Sequence, residues 1–294
     1  MKKSKVKPGA AIAPPGEGEF SLIPHSKLLD LYVAMLRCRV IAKGIPLSMK
    51  ARGKRSLLSS EAVTVGVTID LLATDAISPA PTDLMPCAVK IDLPGGVAIN
   101  TLLRWWSNPA ARIPNAFARA NVIAPAASTE ARLEAALRLA AHFRSTNCGS
   151  VVVFFAGPDS VPSKPAASPA PLESLLRQAV ARQLPILFVR QSEAKNDHFN
   201  KIARHCCMPG MVVDQDDVVA VYRVASEALA HARRGNGPTL VDSKPWRLKR
   251  GGPKTRGSSN SIGKMELYLE GKGLAFKSIK NAIQKKFAAR LERA

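Results

Sequence analysis

The stretch from Ser150 to Arg190 limits the possible folds more than any other. Val151-Val152-Val153-Phe154-Phe155 is a continuous apolar run without alternation. A run that short reads as a strand buried on both faces. A loop follows with prolines at 158, 162, 165, 169 and 171. Proline at that density blocks regular structure and removes amide donors. The spacing then predicts a helix from Leu172 to Gln183 and a second buried strand over Ile186–Val189. Strand, crossover helix and strand make a βαβ unit in a parallel sheet. Such sheets hold ligands just past the C-terminal ends of their strands. Here those ends are Ala156 to Ser160 and Arg190 to Glu193.

The flanking pattern extends the unit. Leu28, Leu29, Leu31, Tyr32, Met35, Leu36 and Val40 recur at helical spacing, with Ser26 as the expected N-cap. Ser60 to Leu72 is expected to be helical, although Val and Ile alternate within it in a strand-like way. Asp75 to Pro86 reads as a turn-rich connection, and Ala98 to Trp106 as a short helix. Thr129 to Arg144 is a strong helix with Leu133, Leu137, Leu139 and Ala140, and its arginines 132, 138 and 144 are expected to face out. Met211–Val213 and Pro238–Asp242 read as further strands. The helix between them opens on the acids Asp214, Asp216 and Asp217 and closes on Arg233 and Arg234 before Gly235, as the helix dipole favours. A last helix, Lys277 to Arg290, places Ile279, Ile283, Phe287 and Leu291 on one stripe. Helices first and βαβαβ afterwards predict a three-layer αβα domain with a mostly parallel sheet.

Charge bears on partners. The chain carries a net +21, and residues 1–8, 243–256 and 272–294 together hold sixteen of those charges. The excess therefore sits on peripheral segments, which reads as solubility and weak anion association. A nucleic-acid reader would pair its lysines with an aromatic-rich motif, finger or repeat, and none accompanies them. Residues 1–20, rich in Lys, Pro, Gly and Ala, are expected to be a disordered basic tail, and residues 243–261, rich in Gly, Ser and basic residues, to be mobile. The five cysteines lack C-x-x-C spacing, so free thiols in a cytoplasmic setting are expected. The start of the sequence lacks the apolar core of a secretory signal, and no apolar run suits a membrane span.

Four pieces, in order, resemble one family. They are Leu28-Leu29-Asp30-Leu31-Tyr32-Val33-Ala34-Met35 with Arg37 and Arg39; Ser60-Glu61-Ala62-Val63-Thr64-Val65-Gly66 with Leu72 and Asp75; Leu184-Pro185-Ile186-Leu187-Phe188-Val189; and Val213-Asp214-Gln215-Asp216-Asp217-Val218, continuing through Arg233 to Gly237-Pro238-Thr239-Leu240-Val241-Asp242. They are similar to segments of the alpha subunit of thiamine-diphosphate-dependent 2-oxo acid dehydrogenases, the decarboxylating component of the pyruvate and branched-chain complexes. The resemblance spans about residues 28–274 and implies the thiamine-diphosphate-binding fold. Residues 21–246 would form that domain, and 247–294 a basic loop and C-terminal helix.

The resemblance also implies a site. In the family, the alpha subunit holds magnesium and the cofactor's diphosphate on a motif that begins G-D-G after one strand and ends N-N after the next. Glycines admit the phosphates, and Asp and Asn oxygens suit magnesium. Here the opening reads Ala156-Gly157-Pro158-Asp159, with Gly157 at the aspartate position, and the closing pair falls on Ser192-Glu193. The cofactor positions carried over are thus Gly157, Asp159, Ser192 and Glu193, with Asp159 and Glu193 the hard-oxygen candidates for a metal. The family's closing loop carries a tyrosine-arginine pair and then a histidine-serine pair. Trp246-Arg247 keeps an aromatic and an arginine, whereas Gly251-Gly252 falls where histidine and serine are expected.

These departures predict a degenerate, non-catalytic alpha-subunit-like protein that needs neither thiamine diphosphate nor magnesium. It would act by association with a beta-type subunit or with itself. One alternative is an active dehydrogenase subunit with an altered metal site, using thiamine diphosphate and magnesium for oxidative decarboxylation and acyl transfer to lipoamide. The other is a basic protein binding anions or nucleic acid. Elsewhere, His205-Cys206-Cys207 reads as a turn, the aspartates 214, 216 and 217 as helix capping, and Ser56, Ser59 and Ser60 as serines without an activating base. His25, His142, His198 and His231 have no evident catalytic partner.

Overall fold

The computed structural model describes residues 23–44, 61–80, 85–90, 120–123, 128–156, 171–191, 198–245 and 260–291. The prolines of 158–169, the helix expected at 98–106 and the serines 56, 59 and 60 lie outside them.

Five strands form one sheet, all parallel: β1 Ala76–Ser78, β2 Val152–Ala156, β3 Ile186–Gln191, β4 Gly210–Asp214 and β5 Thr239–Lys244, in the order β1-β2-β3-β5-β4. Alternate residues of the inner strands feed two separate cores, so an apolar run without alternation was the right sequence for them. Val151, Val153, Phe155, Leu187, Val189 and Val241 face one core. Helices α1 His25–Gly44, α2 Glu61–Thr68 and α7 Val218–Arg233 cover it, together with α8 Ser261–Gly271. Val152, Phe154, Ile186, Phe188 and Leu240 face the other. That side is covered by α4 Thr129–Thr146, α5 Pro171–Ala181 and α6 His198–His205. The expected three-layer αβα architecture is therefore present. The two remaining helices are α3 Met85–Lys90 and α9 Lys277–Leu291.

Several expectations need correction. Asp75–Pro86 is not merely a connection: Ala76–Ser78 pairs with β2, and α3 starts at Met85. A three-residue strand leaves too little pattern to read. Ser26 lies inside α1, whose Leu28 amide already bonds back to the Pro24 carbonyl at 3.1 Å. Residues 243 and 244 extend β5, and Asn260 caps α8 through its side chain, so the ends of the stretch expected to be mobile are ordered elements. Arg132 does not face out, and its position matters to the site below. The alternation at 61–68 resolves as helix, buried nearly all round. The acids before α7 do cap: Asp217 accepts from the Val219 and Ala220 amides at 3.0 Å each. Gly235, at φ 78°, follows the end of that helix.

Candidate functional site

The C-terminal strand ends are built by register. Ala156 on β2 stands opposite Arg190 on β3, and Arg190 opposite Asp242 on β5. Partners in register point to the same face, so Arg190 and Asp242 share the side covered by α4, α5 and α6. Both are buried. Arg190 Nη1 lies 3.7 Å from Asp242 Oδ1, and Lys244 Nζ lies 3.0 Å from Oδ2. The Ser243 hydroxyl donates to the Arg190 carbonyl at 2.6 Å. At the end of β4, Lys264 of α8 reaches Asp214 at 2.8 Å. Each of these carboxylates is thus matched by a cation.

Arg132 dominates the other end of the crevice. It sits in the first turn of α4 and is fully buried. Its Cζ lies 4.2 Å over the Phe154 ring, a cation–π contact within the sheet's own core. Its Nη1 donates to the carbonyls of Ser78 at 3.1 Å, Pro79 at 2.9 Å and Phe155 at 2.9 Å, and lies 3.3 Å from Ser78 Oγ. One side chain therefore ties off the ends of β1 and β2. Burial pushes its guanidinium down to about 10, which leaves it charged at neutral pH.

A second polar cluster lies where α8 begins. Arg39 donates to both Glu61 and Asn260, and the Ser261 hydroxyl donates to Glu61 at 2.7 Å. Burial raises the nearby Asp216 carboxyl above its usual range; Asp214 and Glu61 add to this, against Lys264.

Gly157, Asp159, Ser192 and Glu193 lie outside the described residues, as do Trp246, Arg247, Gly251 and Gly252. The described strands end at Ala156, the first residue of the opening half, and at Gln191, one residue before the closing pair. Magnesium with a diphosphate needs hard oxygen ligands there. The described residues supply the cations Arg132, Arg190 and Lys244 together with the Asp242 carboxylate. No group of three or more His, Cys, Asp or Glu that could hold a metal occurs among them. Among the described residues, the carboxylate at these strand ends, Asp242, is already paired with Arg190 and Lys244. Cys206 and Cys207 form the expected turn before β4, both as free thiols. Arg132 was missed because arginine on a helix is read as solvent-facing. Its spacing did carry the signal: positions 132, 133, 136, 137 and 140 form one stripe, and all are buried.

The class defined by these features is a three-layer α/β protein with a charged strand-end crevice. Residues 189–251, from the end of β3 through α6, β4, α7 and β5, match the family model described as "Dehydrogenase E1 component". A 48-residue stretch is 52% identical to the 3-methyl-2-oxobutanoate dehydrogenase subunit alpha of Mycobacterium tuberculosis, covering 16% of this chain and 12% of that one. An 85-residue stretch is 34% identical to the pyruvate dehydrogenase E1 component subunit alpha of Porphyra purpurea, covering 25% of each. The matched stretches span a quarter or less of these relatives. A transketolase structure from Pichia stipitis covers 91% of this chain and 47% of its own at 12% identity and a TM-score of 0.46, a likeness too loose to bear on the fold. The resemblance to alpha subunits of thiamine-diphosphate-dependent 2-oxo acid dehydrogenases is thus borne out, over part of the chain. Among the described residues no helix is long and apolar enough to cross a membrane.

Proposed function

We propose that this chain is an alpha-subunit-like protein that does not assemble a magnesium-diphosphate site and acts by associating with a beta-type dehydrogenase subunit. The observation that carries this reading is the buried Arg132 guanidinium spent on the carbonyls of Ser78, Pro79 and Phe155. A fixed positive charge at the strand ends opposes a divalent cation there, at short range and in a poorly screened setting. The sequence beyond the strands supports the same reading. Gly157 offers no metal ligand where the family has aspartate, and Pro158 offers no amide to phosphate. The similarity to alpha subunits supports a beta-type partner.

Calorimetric titration of thiamine diphosphate with Mg²⁺ tests the first half, using the full chain alone and mixed with a beta-type subunit. No magnesium-dependent heat is expected in either case, and tight magnesium-dependent binding would overturn the reading. Sedimentation of the same mixture tests the second half. A co-sedimenting complex is expected, and two independent species would overturn association.

A further inference from the structure

Arg132 has spent only one of its two faces. Its Nη1 is committed to the strand-end acceptors, but Nε and Nη2 are buried and find no hydrogen-bond partner among the described residues. Such donors are costly to bury unpaired. Nε–H and Nη2–H project in parallel from one edge of the guanidinium, and that edge matches two oxygens of one carboxylate or phosphate group. Arg177 turns the same pair of nitrogens on Glu173, both reaching its Oε1, at 3.2 and 2.7 Å. The edge on Arg132 is also held in place, because Phe154 lies under the plane and Nη1 fixes its rotation. The first turn of an 18-residue helix adds a partial positive charge, against the half-buried Glu130 in that same turn.

We propose that the Nε/Nη2 edge of Arg132 anchors an oxyanion site, taking a phosphate or carboxylate group of a small ligand in bidentate fashion with no metal between them. This deepens the reading above and rests on it, since the same crevice cannot hold both this anion directly on arginine and a magnesium-bridged diphosphate.

The test uses the full chain labelled with ¹⁵N and ¹³C, with the Arg132 side-chain Nε–H resonance assigned through its own backbone. Inorganic phosphate and acetate are titrated separately in a constant chloride background. A saturable shift of that resonance is expected with at least one of them. A response to phosphate alone assigns a phosphate ligand, and a response to acetate alone a carboxylate. In Arg132→Lys, which keeps charge but loses the fork, the same anion should bind about tenfold more weakly, equivalent to roughly 1.4 kcal/mol. A resonance silent to both anions would overturn the site, as would undiminished binding in the lysine variant. If that variant does not fold, the wild-type resonance decides. Thiamine diphosphate with Mg²⁺ is the third arm. Tight magnesium-dependent binding would overturn the metal-free reading whatever phosphate does. Silence to phosphate and acetate with thiamine diphosphate equally unbound would overturn the Arg132 site alone.

Discussion

Arg233 grips Asp75 with both ends of its fork, Nη2 to Oδ2 at 2.6 Å and Nη1 to Oδ1 at 2.8 Å. Asp75 is completely buried at the entry to β1 and also accepts the Leu72 and Val151 amides at 2.7 and 2.9 Å. Arg233 closes α7 and reaches the Gly149 carbonyl at 3.0 Å. One carboxylate therefore sets where β1 and β2 start and where α7 stops. Removing it leaves a guanidinium and two amides without their acceptor. Asp75→Ala is expected to cost about 3 kcal/mol, read as a lower urea midpoint at unchanged slope. Asp70→Ala, which removes the more exposed contacts to Lys27 and to the Tyr222 hydroxyl, should cost less, about 1 kcal/mol.

At Gly66 α2 packs directly against α7. A Cβ there would stand 2.7 Å from Val221 Cγ1 and 3.0 Å from the Tyr222 backbone nitrogen. Alanine would gain about 1 kcal/mol of helix propensity. The backbone contact cannot move aside as a side-chain tip can, so overpacking costing about 1–3 kcal/mol decides the sign. Gly66→Ala is expected to lower the thermal midpoint. Adding Val221→Ala should recover only part of the loss, since the Tyr222 nitrogen stays in place.

The strands from Val152 to Ala156, Ile186 to Gln191 and Thr239 to Lys244 were legible because burial on both faces leaves no polar positions to confuse the pattern. Ala76-Ile77-Ser78 was not, because three residues have no period. The helix 261–271 follows a Gly, Ser and basic stretch, and its apolar contacts Ile262, Met265 and Leu269 are too few to stand out from it. The strand ends follow from topology, whereas the charge around them does not. Arg132 was assigned to solvent by residue type, although its spacing with Ala136 and Ala140 placed it inside. Pairings such as Arg190 with Asp242 depend on register between strands 52 residues apart in sequence, which no local pattern encodes.

Glu61 gives the fold an acid-sensitive contact. Burial alone would raise its carboxyl, but the hydrogen bonds from Arg39 and Ser261 and the Arg39 charge together outweigh that and hold it below its usual value. A folded value below the unfolded one adds stability above the unfolded value, which is lost as pH falls through the folded one. The window therefore opens near pH 4.5 and extends downward. Glu61→Gln should destabilise the chain at pH 7, and its difference from wild type should shrink steadily below pH 4.5 in urea melts. A difference that stays constant to pH 3 would show that the charge is not what Arg39 and Ser261 recognise.

The C-terminal helices belong energetically to the main core. Phe276, just before α9, is buried and meets Tyr32 of α1 edge-on, with ring centroids 5.5 Å apart. The Tyr32 hydroxyl donates to Glu266 of α8 at 2.7 Å, and Lys280 of α9 lies 2.9 Å from the same carboxylate. Truncating a buried phenylalanine removes its transfer energy and leaves a cavity, so Phe276→Ala should cost about 3 kcal/mol. Tyr32→Phe keeps the ring and loses only the hydrogen bond to a charged acceptor, at about 1.5 kcal/mol. Both losses should appear in the single main unfolding transition. A separate early transition in Phe276→Ala, with the rest of the melt unchanged, would instead make residues 260–291 an independently folding unit. The Tyr32–Phe276 contact argues against that outcome, because it ties the first described helix to the residue that leads into the last.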